Sequence, residues 1–77
     1  MIFIDLTPFR CPIPLVKVKL ALKSMDAGET LHILLSDSGS RRDVPVYLKK
    51  QGHRVEVLRD DAAQLALIIM KVDLSQG

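Results

Sequence analysis

Ile2, Ile4 and Leu6 fall on one side of an extended chain and Phe3 and Asp5 on the other, so a period of two predicts a first strand over Ile2 to Leu6. From Pro14 to about Met25 no further proline and no glycine interrupts a run of good helix formers, which predicts a helix. Asp26-Ala27-Gly28 ends it, glycine being the usual residue just past a helix. Thr30 to Leu35 is apolar and partly β-branched and reads as a second strand. Asp37-Ser38-Gly39-Ser40 has the composition of a loop. A second helix is expected from near Ser40 or Asp43 to Gln51, with Gly52 as its stop. His53 to Leu58 alternates around Val55 and Val57, and Leu65 to Val72 is a long apolar strand. Asp60-Asp61 and the following Ala-Ala-Gln join these two as a hairpin. The order is βαβαββ. One four-stranded sheet, mixed in direction, with both helices on one face is the simplest way to bury these stripes.

At about 100° per residue, the first helix places Leu15, Val18, Ala21, Leu22 and Met25 on one face, the core stripe. Ile13, Val16 and Leu20 then lie nearly opposite, with Lys17, Lys19 and Lys23 around them. Apolar residues that face away from a sheet are either ordinary scatter or a strip on which a partner docks. In the second case the lysines suit a partner with acidic residues around its own apolar spot. Arg41 and Arg42, near the start of the second helix, read as a solvated basic edge, or as help for an anion at that terminus.

The chain's 77 residues make one small domain, 1–77, with 48 % hydrophobic residues and a core of Leu, Val, Ile and Met. A net charge of +2 is too small to argue for direct nucleic-acid binding. No apolar run approaches the roughly 18 residues of a membrane span, and no leader segment is visible, so a cytoplasmic location is expected. A single cysteine excludes an internal disulfide and any metal site built from several cysteines. Neither a metal nor another cofactor is expected. A monomer is favoured, although nothing in the sequence fixes the oligomeric state.

That cysteine sits in Arg10-Cys11-Pro12-Ile13-Pro14. A helix's first turn has donors without internal acceptors, so Pro12 and Pro14 cost little there. Ile13 precedes a proline and is pushed towards extended backbone, which moves the start of regular helix to Pro14. In either arrangement Cys11 stands at the positive end of the helix dipole, on backbone stiffened by prolines. A charge at such a terminus gains about 0.3–1 kcal/mol, which makes a moderately activated thiol and not a protease-like nucleophile. His32 and His53 lie on predicted strands, so no partner base is evident and a Cys/His hydrolase is not expected. A thiol that receives a group and hands it on needs no base. The competing reading is an inert, small hydrophobe.

With these residues in place the chain resembles the TusA-like (SirA-like) family of sulfur carriers. Arg10-Cys11-Pro12-Ile13-Pro14 matches the family's Cys-Pro-x-Pro motif, and Gly28-Glu29-Thr30-Leu31 its turn into the second strand. Asp37 and Arg42-Asp43-Val44-Pro45 match its loop and second-helix start, and Gly52 with two closing strands completes the pattern. The resemblance implies an α/β (α+β) two-layer sandwich and a persulfide carried on Cys11, with Arg10, Pro12 and Pro14 as supporting members of the motif. It also implies a sulfur-donor protein, either a cysteine desulfurase or rhodanese-like, and a sulfur-acceptor protein. The pathways it suggests are tRNA thiolation, molybdenum-cofactor assembly and sulfur oxidation. Where members commonly carry a glycine ahead of the cysteine, this chain has Thr7-Pro8-Phe9, a stiffer and more apolar approach. Where they often have Asp-Pro, it has Asp37-Ser38. A sulfurtransferase-type carrier is one reading; an adaptor of the same fold and a thiol redox sensor are the others.

Overall fold

Six elements form in the computed structural model, which describes residues 2–72: β1 (Ile2–Asp5), α1 (Ile13–Ser24), β2 (Thr30–Leu35), α2 (Ser38–Lys50), β3 (Arg54–Asp60) and β4 (Leu65–Met70). The strands make one sheet in the order β1-β2-β4-β3, with β1 parallel to β2 and β4 antiparallel to both its neighbours. The period of two sets the register. It aligns Ile2, Leu31, Ile69 and Val55 in one row across the sheet, and Ile4, Ile33, Leu67 and Val57 in the next. These rows face the helices. Val18, Leu22 and Met25 of the α1 segment and Val44 and Leu48 of α2 close over them and are buried with Leu6, Leu31, Ile33, Leu35, Leu65, Leu67 and Ile69. Each such side chain contributes about 1.5–3 kcal/mol by leaving water. This is the mixed sheet with both helices on one face that the periodicity predicts.

The opposite sheet face carries the alternate residues. Phe3 is 55 % exposed there, with its ring edge-on to His32 at 5.0 Å between centroids.

Both helices are finished by local chemistry. At the end of α2, His53 N donates to Leu48 O and Gly52 N to Lys49 O, with Gly52 at φ 86 in the left-handed region. At the end of α1, Lys71 reaches across from beyond β4, its Nζ donating to Leu22 O at 2.6 Å and Met25 O at 2.5 Å. A cation there also offsets the negative end of the helix dipole.

Several boundaries differ from those expected. The α2 helix starts at Ser38, because extended Asp37 accepts from Ser40 N at 3.0 Å and its carbonyl from Arg41 N at 2.9 Å. A Ser-Gly-Ser run that reads as loop is therefore the first turn. The helix thus starts ahead of both Ser40 and Asp43. Pro45 falls inside the helix, where its missing N–H leaves Arg41 O without the usual donor. The α1 helix starts at Ile13, one turn being closed by Ile13 N donating to Arg10 O at 2.8 Å. Strand β3 runs on to Asp60 through a register shift between Val57 and Arg59, so Asp60 belongs to the strand. Strand β4 ends at Met70, two residues short of Val72.

Candidate functional site

The carboxyl ends of β1 and β2 and the amino ends of both helices meet at one end of the molecule. Cys11 is there, exposed, in the turn that leads into α1. The loop before it is fastened to the sheet. Phe9 N donates to Leu6 O at 3.1 Å, Ser36 Oγ to Thr7 O at 2.6 Å, and Thr7 N and Oγ1 to Asp5 Oδ1 at 3.0 and 2.7 Å. The peptide between Cys11 and Pro12 is cis. Pro12 is exposed, whereas Pro14, the second residue of the helix, is buried beneath the motif.

Two carboxylates of the α2 segment complete the surroundings. Asp37 Oδ2 accepts from Cys11 N at 3.1 Å as well as from Ser40 N, so one oxygen joins the cysteine turn to the start of α2. Those donors hold the Asp37 carboxyl below its ordinary range, the Ser40 amide first and the Cys11 amide second. The Ser40 hydroxyl and the charge of Arg10 act in the same direction. Asp43, nearly two turns further along α2, accepts from the thiol itself, with Sγ 3.9 Å from Oδ2. Its other oxygen lies 3.5 Å from Arg42 Nε. Gly39 leaves the wall open beside the sulfur. A Cβ at that position would stand 3.4 Å from Cys11 Cβ and 3.7 Å from Sγ.

The sequence marks the thiol and the helix start but no partner for the sulfur. Asp43 is that partner, 32 residues away. Nothing in the pattern along the chain ties a carboxylate at that separation to the thiol.

The remaining expected residues sit as follows. Arg10 is exposed beside the Asp37 carboxylate. Ile13, Val16 and Leu20 are 44, 47 and 60 % exposed on the outer face of α1. Lys17 lies over the Phe9 ring at 4.7 Å and Lys19 over the Tyr47 ring at 4.8 Å, with Lys23 exposed in the last turn. Arg41 is no solvated edge: its Nη2 binds Asp60 Oδ1 at 2.8 Å and Asp61 O at 2.6 Å, tying α2 to the hairpin. Neither histidine is a hydrogen-bond partner of the thiol. His32 packs on the open sheet face, and His53 Nδ1 accepts from Val72 N at 3.1 Å. Burial first, and the Lys71 charge second, hold the His53 ring below the usual imidazole range. Among the described residues no helix is long and apolar enough to cross a membrane.

This chain is similar to known proteins along nearly its whole length. The family model described as sulfurtransferase TusA matches residues 2–71. The sulfur carrier protein TusA of Allochromatium vinosum is 26 % identical over 68 residues, which cover 88 % of this chain and 90 % of that protein. A candidate sulfur carrier of Archaeoglobus fulgidus is 29 % identical over 72 residues, 94 % of this chain and 99 % of that one. Among solved structures, the SirA-like protein of Desulfitobacterium hafniense has a TM-score of 0.78 at 28 % identity, over 95 % of this chain and 100 % of that one.

Proposed function

The chain belongs to the TusA sulfurtransferase family, and on that premise we propose that it is a one-domain sulfur carrier with a persulfide on Cys11 as its working form. The observation that carries the reading is the exposed thiol at the meeting point of two helix starts, with a carboxylate 3.9 Å from its sulfur. Loading is a thiol–persulfide exchange. Cys11 releases its proton to water, and the resulting thiolate attacks the terminal sulfur of the donor's persulfide. The donor's S–S bond breaks, its cysteine sulfur leaves as thiolate, and a new S–S bond forms on Cys11. Discharge repeats the exchange, with an acceptor thiol attacking the terminal sulfur and Cys11 leaving. Nothing is oxidised or reduced overall. Asp37 holds the Cys11 backbone in place through both steps, and Pro12 and Pro14 with Arg10 stiffen and flank it.

The donor is a cysteine desulfurase or a rhodanese-like protein, and the acceptor is a protein of tRNA thiolation, cofactor assembly or sulfur metabolism in the cytoplasm. Both would meet Ile13, Val16 and Leu20, with Lys17, Lys19 and Lys23 offering charge to acidic residues around the contact. The deciding experiment is the intact mass after incubation with a cysteine desulfurase and cysteine. The parent should gain the mass of one sulfur atom, removable by reductant, and Cys11→Ser should fold yet gain nothing. An oxygen adduct formed only with peroxide would instead make the thiol a redox sensor. Loading of Cys11→Ser would remove the carrier reading.

A further inference from the structure

The two edges of the sheet are built differently. Strand β3 interleaves Arg54, Glu56, Arg59 and Asp60 with its apolar residues and carries a register shift, devices that discourage a further strand. Strand β1 reads Ile-Phe-Ile-Asp, with no proline, no lysine and no irregularity in its pairing. Leu6 N donates inward to Leu34 O. Alternation along the strand therefore turns the backbone groups of Phe3 and Asp5 outward, and no described strand pairs with them. The single charge on this edge, Asp5, is turned to its own loop by the hydrogen bonds from Thr7.

Beside this edge runs a groove of about 410 Å³ between β1 and α1, lined by Ile2, Ile4, Lys17, Leu20, Ala21 and Ser24. Leu20 stands on its rim, and Val16 and Ile13 continue the same exposed apolar line to within two residues of Cys11. An open strand edge flanked by an apolar groove is the geometry of strand addition, in which backbone bonds give affinity and alternate side chains fill the groove. The charge selects the occupant. The α1 helix bears Lys17, Lys19 and Lys23 and no acidic residue. A second copy of this chain would set two such helices side by side and pair a four-residue strand with itself.

We infer that β1 receives an extended segment of the protein that exchanges sulfur with Cys11, whose groove-facing positions, every second residue, carry apolar side chains against Ile2, Ile4 and Leu20 and a carboxylate against Lys17. The inference rests on the carrier reading for its purpose. The added strand leaves the groove where β1 ends, at the loop that holds Cys11, so pairing would fix where the partner's thiol arrives.

The test uses the full chain, labelled for NMR, and an N-acetylated, C-amidated peptide with valine, valine and glutamate at successive alternate positions and threonine between them. Shifts are expected at the Phe3 and Asp5 amides and at the Ile2, Ile4 and Leu20 methyls. Phe3→Pro deletes an outward N–H and should weaken binding by about tenfold, the value of one hydrogen bond, whereas Phe3→Ala should not. Lys17→Glu should weaken the glutamate peptide and admit its lysine counterpart; this arm decides if Phe3→Pro fails to fold. Shifts confined to β3 or the open sheet face would overturn the inference, as would absence of binding at millimolar peptide. Equal binding by a folded Phe3→Pro and by Phe3→Ala would also overturn it, as would β1 shifts that grow with protein concentration alone. Persulfide loading, measured separately, keeps the two claims apart: a chain that loads but ignores the peptide loses only the groove, and one that binds but never loads loses only the carrier.

Discussion

Asp37 is the residue on which the site's geometry turns. Its oxygen caps α2 and holds the Cys11 amide, so truncation should remove both bonds at once. Asp37→Ala should lower the melting temperature, as the loss of a helix cap does, read by thermal melting. The acid limb gives an independent check. The carboxyl's native value lies below its ordinary 3.8, so its contribution is complete above 3.8 and is lost as pH falls from there through the lower native value. Asp37→Asn keeps an acceptor for the cap but cannot titrate. Its stability should fall less steeply than the parent's below pH 3.8, measured by denaturation across that range. Gly39 makes the complementary case. Alanine there gains up to about 1 kcal/mol of helix propensity, but its methyl group would lie 3.3 Å from Asp37 Oδ2 and 3.4 Å from Cys11 Cβ. Gly39→Ala should melt close to the parent while iodoacetamide reacts more slowly with Cys11. Unchanged alkylation would mean that the approach to the sulfur lies elsewhere.

The elements show how far sequence reading reaches. Strand and helix order was legible because the period changes from two to about 3.6 wherever a stripe must face the core. The start of α2 was not, because Ser38, Gly39 and Ser40 are poor helix formers, recruited by the cap that Asp37 supplies. The last residues of β3 were hidden for another reason: an exposed edge strand is polar, and Arg59 and Asp60 look like the turn they precede. At the site, Cys11 was legible from its prolines. The carboxylates were not, since 26 and 32 residues of chain separate Asp37 and Asp43 from the atoms they hold. The outward phase of α1 places Leu20, 60 % exposed, where a charge should do little harm to the fold. Leu20→Glu should change stability by no more than about 0.5 kcal/mol. It should slow persulfide transfer to a protein acceptor while iodoacetamide still alkylates Cys11 at the parent's rate. A protein must desolvate the surface beside the sulfur, and a small reagent need not. An unchanged protein-to-protein rate would remove the strip from docking.

At the scale of the molecule, one layer of helices on one sheet gathers Cys11, Asp37 and Asp43 at a single end, while the lysine-bound end of α1 lies a full helix length away. The strand order carries a consequence for synthesis. Strand β4 lies between β2 and β3, and Lys71, just beyond it, completes the last turn of α1. On the ribosome, β3 therefore waits without a neighbour, and β2 without its second one, until the last of the six elements has emerged. Contacts that must wait for distant sequence form late, so little of this fold can be laid down vectorially. A nascent chain arrested with Gln64 as the last residue outside the exit tunnel should be cut by protease throughout, and one arrested beyond Val72 should resist. Early protection of the β1-α1-β2 segment would mean that the parallel unit folds alone. Until β4 arrives, the thiol of Cys11 would emerge without its frame, open to any oxidant or electrophile that reaches it first.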